Sequence, residues 1–368
     1  MSPTRTLWIG TYPEAGAGTP AGRGEGVWSV GLDPASGTLS GARLAATSPA
    51  PSFLAVHPGG RLVYAVGEQS AGTVTAFAAG PAGELGALAV VSSGGADPCH
   101  LLLALDARTL YVTNYTSGSV AVLPLGADGA FTRATIAVGG PVQVLRHTGS
   151  GRDADRQDGP HAHFAALAPG GAHLLVVDLG TDELRRYRID PGGRLAADGV
   201  AATLPAGTGP RHLAVGPDPD GRGELLYVVG ELDARVHALR WDRASATASL
   251  VQTLPACVTP RRSGEHVHPA HVVLDAGRLL MSVRGSDVVA SFAVDPPTGF
   301  LEPAGEVDSG GSWPRHFAQV DGVTVVANQV SGTLTVLRPS APAGAAPANL
   351  PSPPSLTLPA PACIIPAR

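Results

Sequence analysis

One unit recurs along the chain at intervals of 45 to 63 residues, and that periodicity restricts the fold more than any other feature. Each copy opens on a proline-containing turn and a short apolar strand. Gly, Asp or Pro turn residues follow, then a second apolar strand, a small-residue turn and an alternating strand. Copies begin at Pro51, Pro98, Pro160, Pro210, Pro269 and Pro314. The markers that align between them are Phe53, His100, His163, His212, His271 and His316.

Alternating apolar runs bounded by turn residues are strand signals, and no helical period is sustained. Four antiparallel strands per copy, near fifty residues each, predict an all-β, seven-bladed β-propeller. Residues 6–12 and 26–32 supply two strands of a first blade that lacks its inner strand. The tail at 361–365 matches the missing Pro-x-His-x-x segment, so the C-terminal strand is expected to pair into the first blade. The ring would then close with only short protected edges. The whole chain, 1–368, is expected to form one propeller domain, with the Pro/Ala-rich stretch 339–354 as a loop before the closing strand.

Composition agrees and removes several functions. The 48 glycines and 34 prolines exclude a long coiled coil. A net charge of −5 offers nothing for nucleic acid or an anionic membrane. No lysine is present, so all 25 positive charges are Arg; Schiff-base chemistry and a P-loop lysine are excluded. Arg suits planar anions such as carboxylate and phosphate. Cys99, Cys257 and Cys363 are widely spaced and fit a reducing compartment. With no apolar signal core at the start, a cytoplasmic location is expected.

Packing requires apolar residues, yet two equivalent turns carry polar ones. The entry to the inner strand holds His100, His163, Arg211-His212, His271 and Arg315-His316. The turn after the second strand holds Tyr12, Asn114-Tyr115, Asp178, Glu231, Arg284 and Asn328-Gln329. Inner strands of a propeller line one axis, so these groups converge on an anion-binding pocket with an acid–base group. The two longest insertions, at 147–159 and 259–269, lie beside it, where loops on rigid blades contact substrate.

Several stretches resemble the seven-bladed propeller lactonases, a family that includes the propeller type of 6-phosphogluconolactonase and to which the carboxy-muconate lactonizing enzymes are similar. They are Ile9-Gly10-Thr11-Tyr12, the run HTGSGRDADRQDGPHAH at 147–163, Gly209-Pro210-Arg211-His212 with Glu231, and the closing 361–365. The resemblance covers nearly the whole chain. It implies that the pocket histidine is His163 with His161 its neighbour, that the pocket arginines are Arg211 and Arg284, and that the carboxylate is Glu231. It implies no metal or cofactor. The chain departs from relatives at Ala270-His271-Val272, where Ala-Glu-Ile is usual, and at Gly230 and Val283, where Asn is usual.

Lactone hydrolysis needs an activated water, a proton acceptor and donors to the carbonyl oxygen. Either Glu231 or His163 is the expected base. A Glu among arginines would stay ionised, which favours the imidazole. Arg211 and Arg284 would hold the substrate anion or the oxyanion. Tyr115, Gln329, His161 and Arg315 are expected as further substrate contacts. No G-x-S-x-G elbow is present, so water attacks directly. A metal at His161-x-His163, or at His266-x-His268 with His271, is the less favoured use of those imidazoles.

The leading expectation is therefore a hydrolase of an anionic sugar lactone, 6-phosphogluconolactonase-like, with a small-molecule partner and an oligomeric state left open, monomer included. The alternatives are a lactonase or lactonizing cycloisomerase on a carboxylated, muconate-like substrate, and a non-catalytic propeller scaffold.

Overall fold

The computed structural model describes residues 4–12, 26–217, 223–262, 264, 266–338 and 353–368. It contains seven four-stranded antiparallel sheets, each running outward from an inner strand. The inner strands of blades 2 to 7 are Leu54–Val56, Pro98–Leu103, Ala162–Leu167, Pro210–Val215, His268–Asp275 and Pro314–Val320. The six copies read from the sequence are these six blades.

Blade 1 is assembled from both ends of the chain. Its inner strand, Pro361–Pro366, pairs antiparallel with Arg5–Thr11, setting Ile364 opposite Ile9 and Cys363 opposite Gly10. Gly26–Asp33 and Thr38–Thr47 complete it. The expected closure is therefore present. Gly10 lies on this seam: a Cβ there would come within 2.2 Å of the Pro51 carbonyl oxygen. A side chain would wedge blade 1 away from blade 2.

Blade 7 differs from the reading of the tail. Its outer strand, Ser355–Thr357, pairs with Thr333–Leu337, so the chain returns to blade 7 before closing blade 1. The expected loop falls largely on 339–352, outside the described residues. The long gap between blades 3 and 4 also holds more than a loop. It contains a six-residue helix, Arg133–Val138, and the outer strand of blade 3, Gln143–Arg146.

Apolar clusters fill the space between neighbouring blades. One joins blades 5 and 6 through Tyr227, Val229, Met281, Val283 and Phe292. Another joins blades 7 and 1 through Val325, Leu334, Ile9, Val30 and Ile364. The core is thus distributed around the ring, and the axis is left to polar and aromatic side chains. Among the described residues no helix is long and apolar enough to cross a membrane. The three cysteines are free.

A β-bulge breaks the pairing near the start of the inner strand in six of the seven blades. In blade 3, Pro98 pairs with Asn114 and His100 with Thr113, leaving Cys99 over. The equivalent breaks leave over Ala362, His163, Arg315, the pair Arg211-His212 and the pair Ala270-His271. A bulge re-aims a side chain. Here it presents Cys99, His163, Arg211 and Arg315 to one cavity.

The next position forms a second layer. Phe53, His100, Phe164, His212, His271 and His316 make a closed circuit of ring contacts, with centroids 3.9 to 5.9 Å apart. This layer corrects the alignment made from sequence. His163 is not the equivalent of His100 and His212; Phe164 is. Ala162 stands where the other blades have proline, and Pro160 lies two residues upstream of it. The proline marker is therefore two residues out of register there, and the histidine marker His163 is one residue out.

Candidate active site

Ten side chains line a small polar cavity on the axis: Tyr12, Glu68, Cys99, Tyr115, Arg156, His163, Arg211, Glu231, Arg284 and Arg315. Its centre is Glu231, which follows the second strand of blade 5 and is 4% exposed. Arg156 Nη2 donates to its Oε1 at 2.8 Å, and Arg284 Nη2 donates to its Oε2 at 2.7 Å. Arg211 Nε stands 3.0 Å from Oε2, as an ion pair without hydrogen-bond alignment.

Burial alone would raise the pKa of Glu231. Arg284, Arg156 and Arg211 outweigh that and hold the carboxyl well below the usual range. It is a fixed anion at neutral pH, which makes it a poor proton acceptor.

The arginines are held as firmly. Arg211 Nη1 donates to the Ala270 carbonyl at 2.7 Å, tying blade 5 to blade 6. Burial, with repulsion from Arg284 and Arg315, pulls its pKa to about 9, so it stays charged at neutral pH. Arg284 donates through Nε to the His268 carbonyl at 3.1 Å and lies over the Trp313 ring. Arg315 stacks on the Tyr12 ring at 4.3 Å and donates to Gln329 Oε1 at 3.5 Å.

Arg156 arrives on the loop between blades 3 and 4, and buried Gln157 sets its position. Gln157 Oε1 accepts from the backbone of Arg152 and Asp153, while its Nε2 donates to the Leu179 carbonyl and to Asp182. Asp182 in turn accepts from the Gly209 backbone, which anchors the loop to blade 5. The loop thereby reaches Glu231 from 75 positions away and also meets the Tyr115 hydroxyl at 3.4 Å.

His163 is buried, and its Nδ1 has no hydrogen-bond partner. Burial and the neighbouring Arg211 hold its pKa well below 6.5, so the ring is neutral. Cys99, beside it, donates to the His163 carbonyl, and burial pushes its thiol up to about 12, which makes it inert.

Of the residues singled out from sequence, Glu231, His163, Arg211, Arg284, Tyr115 and Arg315 line this cavity together. His161 does not. It stacks on Tyr115 at 4.4 Å, donates to the Tyr115 carbonyl through Nδ1, and meets Asp158 at its other nitrogen. Gln329 stands behind Arg315. Of the His-x-His pairs, His161 and His163 part, with only His163 entering the cavity, while the His266 and His268 rings stay 5.6 Å apart. His268 Nδ1 contacts the Glu231 carbonyl, whereas His271 belongs to the ring layer, 3.0 Å from His212 through the two Nδ1 atoms. Among the described residues no group of three or more His, Cys, Asp or Glu is placed to hold a metal ion.

Sequence reasoning missed Arg156 as a site residue and missed Glu68 entirely. The signal for Glu68 was in the repeat. Val66-Gly67-Glu68 of blade 2 is the counterpart of Val229-Gly230-Glu231 of blade 5. Glu68 Oε1 accepts from the Tyr12 hydroxyl at 2.9 Å, and Oε2 accepts from Ser52 Oγ.

The 6-phosphogluconolactonase of Bacillus subtilis is 28% identical over 361 residues, covering 97% of each chain. The solved periplasmic gluconolactonase of Pseudomonas aeruginosa is 29% identical and superposes with a TM-score of 0.84, over 100% of this chain and 99% of its own. A solved Lactobacillus plantarum protein, 26% identical over the full length of both chains, also gives 0.84. The model of the lactonase family with a 7-bladed β-propeller matches residues 6–364. By fold and by this match, the chain belongs to the seven-bladed β-propeller lactonase family.

Proposed function

We infer that this lactonase hydrolyses the ring ester of an anionic sugar lactone, of the 6-phosphogluconolactone type. One observation carries the reading: Arg156, Arg211, Arg284 and Arg315 share a small cavity with only two carboxylates, Glu231 and Glu68. At least two positive charges are left unmatched. A phosphate or carboxylate substituent would neutralise them through charge-assisted hydrogen bonds. The name of the Bacillus subtilis relative supports the phosphorylated substrate.

The reaction follows from the same groups. Arginines that remain charged at neutral pH stabilise negative charge as it builds on the carbonyl oxygen. Glu231 keeps three guanidiniums together and in place. With its basicity quenched, neutral His163 is the acceptor for the proton of the attacking water. A muconate-type cycloisomerisation would need an apolar bed for a flat diene, and the wall here is mostly charged. Free cysteines are consistent with a cytoplasmic enzyme.

A pH-indicator assay on 6-phosphogluconolactone and on gluconolactone tests the reading. The phosphorylated substrate should show a kcat/KM higher by about 10²-fold, and His163→Ala should lower kcat by about 10²-fold. Equal or better turnover of unphosphorylated gluconolactone would remove the anion-recognition claim.

A further inference from the structure

The cavity holds two carboxylates at equivalent positions of two blades, and their surroundings are opposite. Glu231 takes three arginines. Glu68 takes two neutral hydroxyl donors, Tyr12 and Ser52. Arg315, whose charge acts on it from the same cavity, spends its described contacts on the Tyr12 ring and Gln329.

The groups that face Glu68 come from several blades. Tyr12 comes from blade 1, Ser52 from blade 2, Asp97 and Cys99 from blade 3, and Arg315 from blade 7. Below it a small extension of the cavity is lined by Arg211, His212 and His316. A half-buried carboxyl without an ion pair favours its neutral form. Desolvation, with Asp97 in the same direction, outweighs Arg315 and the two hydroxyls and raises its pKa.

We propose that Glu68 is the general acid of the reaction, the group that protonates the departing ring oxygen. The proposal rests on lactone hydrolysis as the function. Water adds to the carbonyl carbon and gives one proton to His163, and the carbonyl oxygen becomes an oxyanion facing the arginines. The bond from carbon to ring oxygen then breaks, the carbonyl re-forms, and the Glu68 carboxyl gives its proton to the ring oxygen, which leaves as a hydroxyl. The product is a hydroxy acid, and it sheds its carboxyl proton to solvent. Proton return from His163 to Glu68 resets the site. Two titratable groups with pKa values pushed apart divide the acid and anion roles between them. Tyr12 is a positioning residue, because its hydroxyl holds the Glu68 oxygen.

The test is the pH dependence of kcat. Glu68→Gln should lower kcat by about 10²-fold with KM changed less than about threefold, and the alkaline limb of the profile should vanish. Tyr12→Phe should move that limb to higher pH, because the lost hydroxyl favoured the ionised carboxylate. A merely structural Glu68 would not move a limb. Folded Glu68→Gln with kcat within about threefold of wild type overturns the assignment while leaving lactone hydrolysis standing. An unmoved limb in Tyr12→Phe also overturns it, and that variant decides if Glu68→Gln does not fold. A wild-type protein inert toward both sugar lactones removes this proposal and the functional reading together.

Discussion

Arg156 donates to Glu231 at 2.8 Å, and this one contact joins the loop after blade 3 to a strand end in blade 5. Its side chain is the only one of the three arginines around Glu231 that is appreciably exposed, at 25%. It is therefore the arginine able to exchange a carboxylate partner for a substrate anion. Arg156→Ala should raise KM about tenfold or more for an anionic lactone, with a smaller effect on kcat. Steady-state kinetics at two ionic strengths check this, since added salt should raise the wild-type KM and affect the variant less.

Glu231→Gln leaves three guanidiniums around a neutral group. Unpairing a buried charge of this kind costs about 3–5 kcal/mol. The variant should melt earlier in a denaturant titration, and its kcat/KM should fall about 10²-fold or more because the arginines lose their alignment. A variant as stable as wild type would show that Glu231 does not organise them.

Acid should weaken the fold through the ring layer. His100 Nδ1 accepts from the Ala165 backbone, and His316 Nδ1 accepts from Ile364, so each links its blade to the next. Both rings are buried. Desolvation, with the nearby positive groups, lowers each pKa from 6.5 to about 3. A depressed histidine is neutral in the fold and charges readily once unfolded. Its contribution is complete above about pH 6.5 and is lost as the pH falls toward 3. Each such ring should cost roughly 1.4 kcal/mol per pH unit in that window. Thermal melts between pH 7 and 4 should show a steadily falling Tm, and His100→Gln should flatten the slope.

Removing 361–368 deletes the inner strand of blade 1. The seam then exposes Leu7 and Ile9, both fully buried now, together with an open strand edge. The truncated protein should lose its cooperative melt or aggregate, as light scattering during heating would show. Supplying the peptide 361–368 in trans should restore part of the melt.

Seven blades, a strand donated by the tail and a polar axis could all be read from the sequence. Turn residues and strand alternation are local properties, and repetition makes each copy confirm the others. Glu231, His163, Arg211 and Arg284 could be named for the same reason, since they stand at equivalent turns or within motifs. The tertiary structure decided what local pattern does not contain. It moved His163 out of the ring layer, because a bulge counts residues against a partner strand. It brought Arg156 across 75 positions to Glu231. Above all, it separated Glu68 from Glu231: both follow Val-Gly at the end of a second strand, yet one meets hydroxyls and the other guanidiniums. The charge state of a carboxyl depends on its neighbours in space, and those come from other blades.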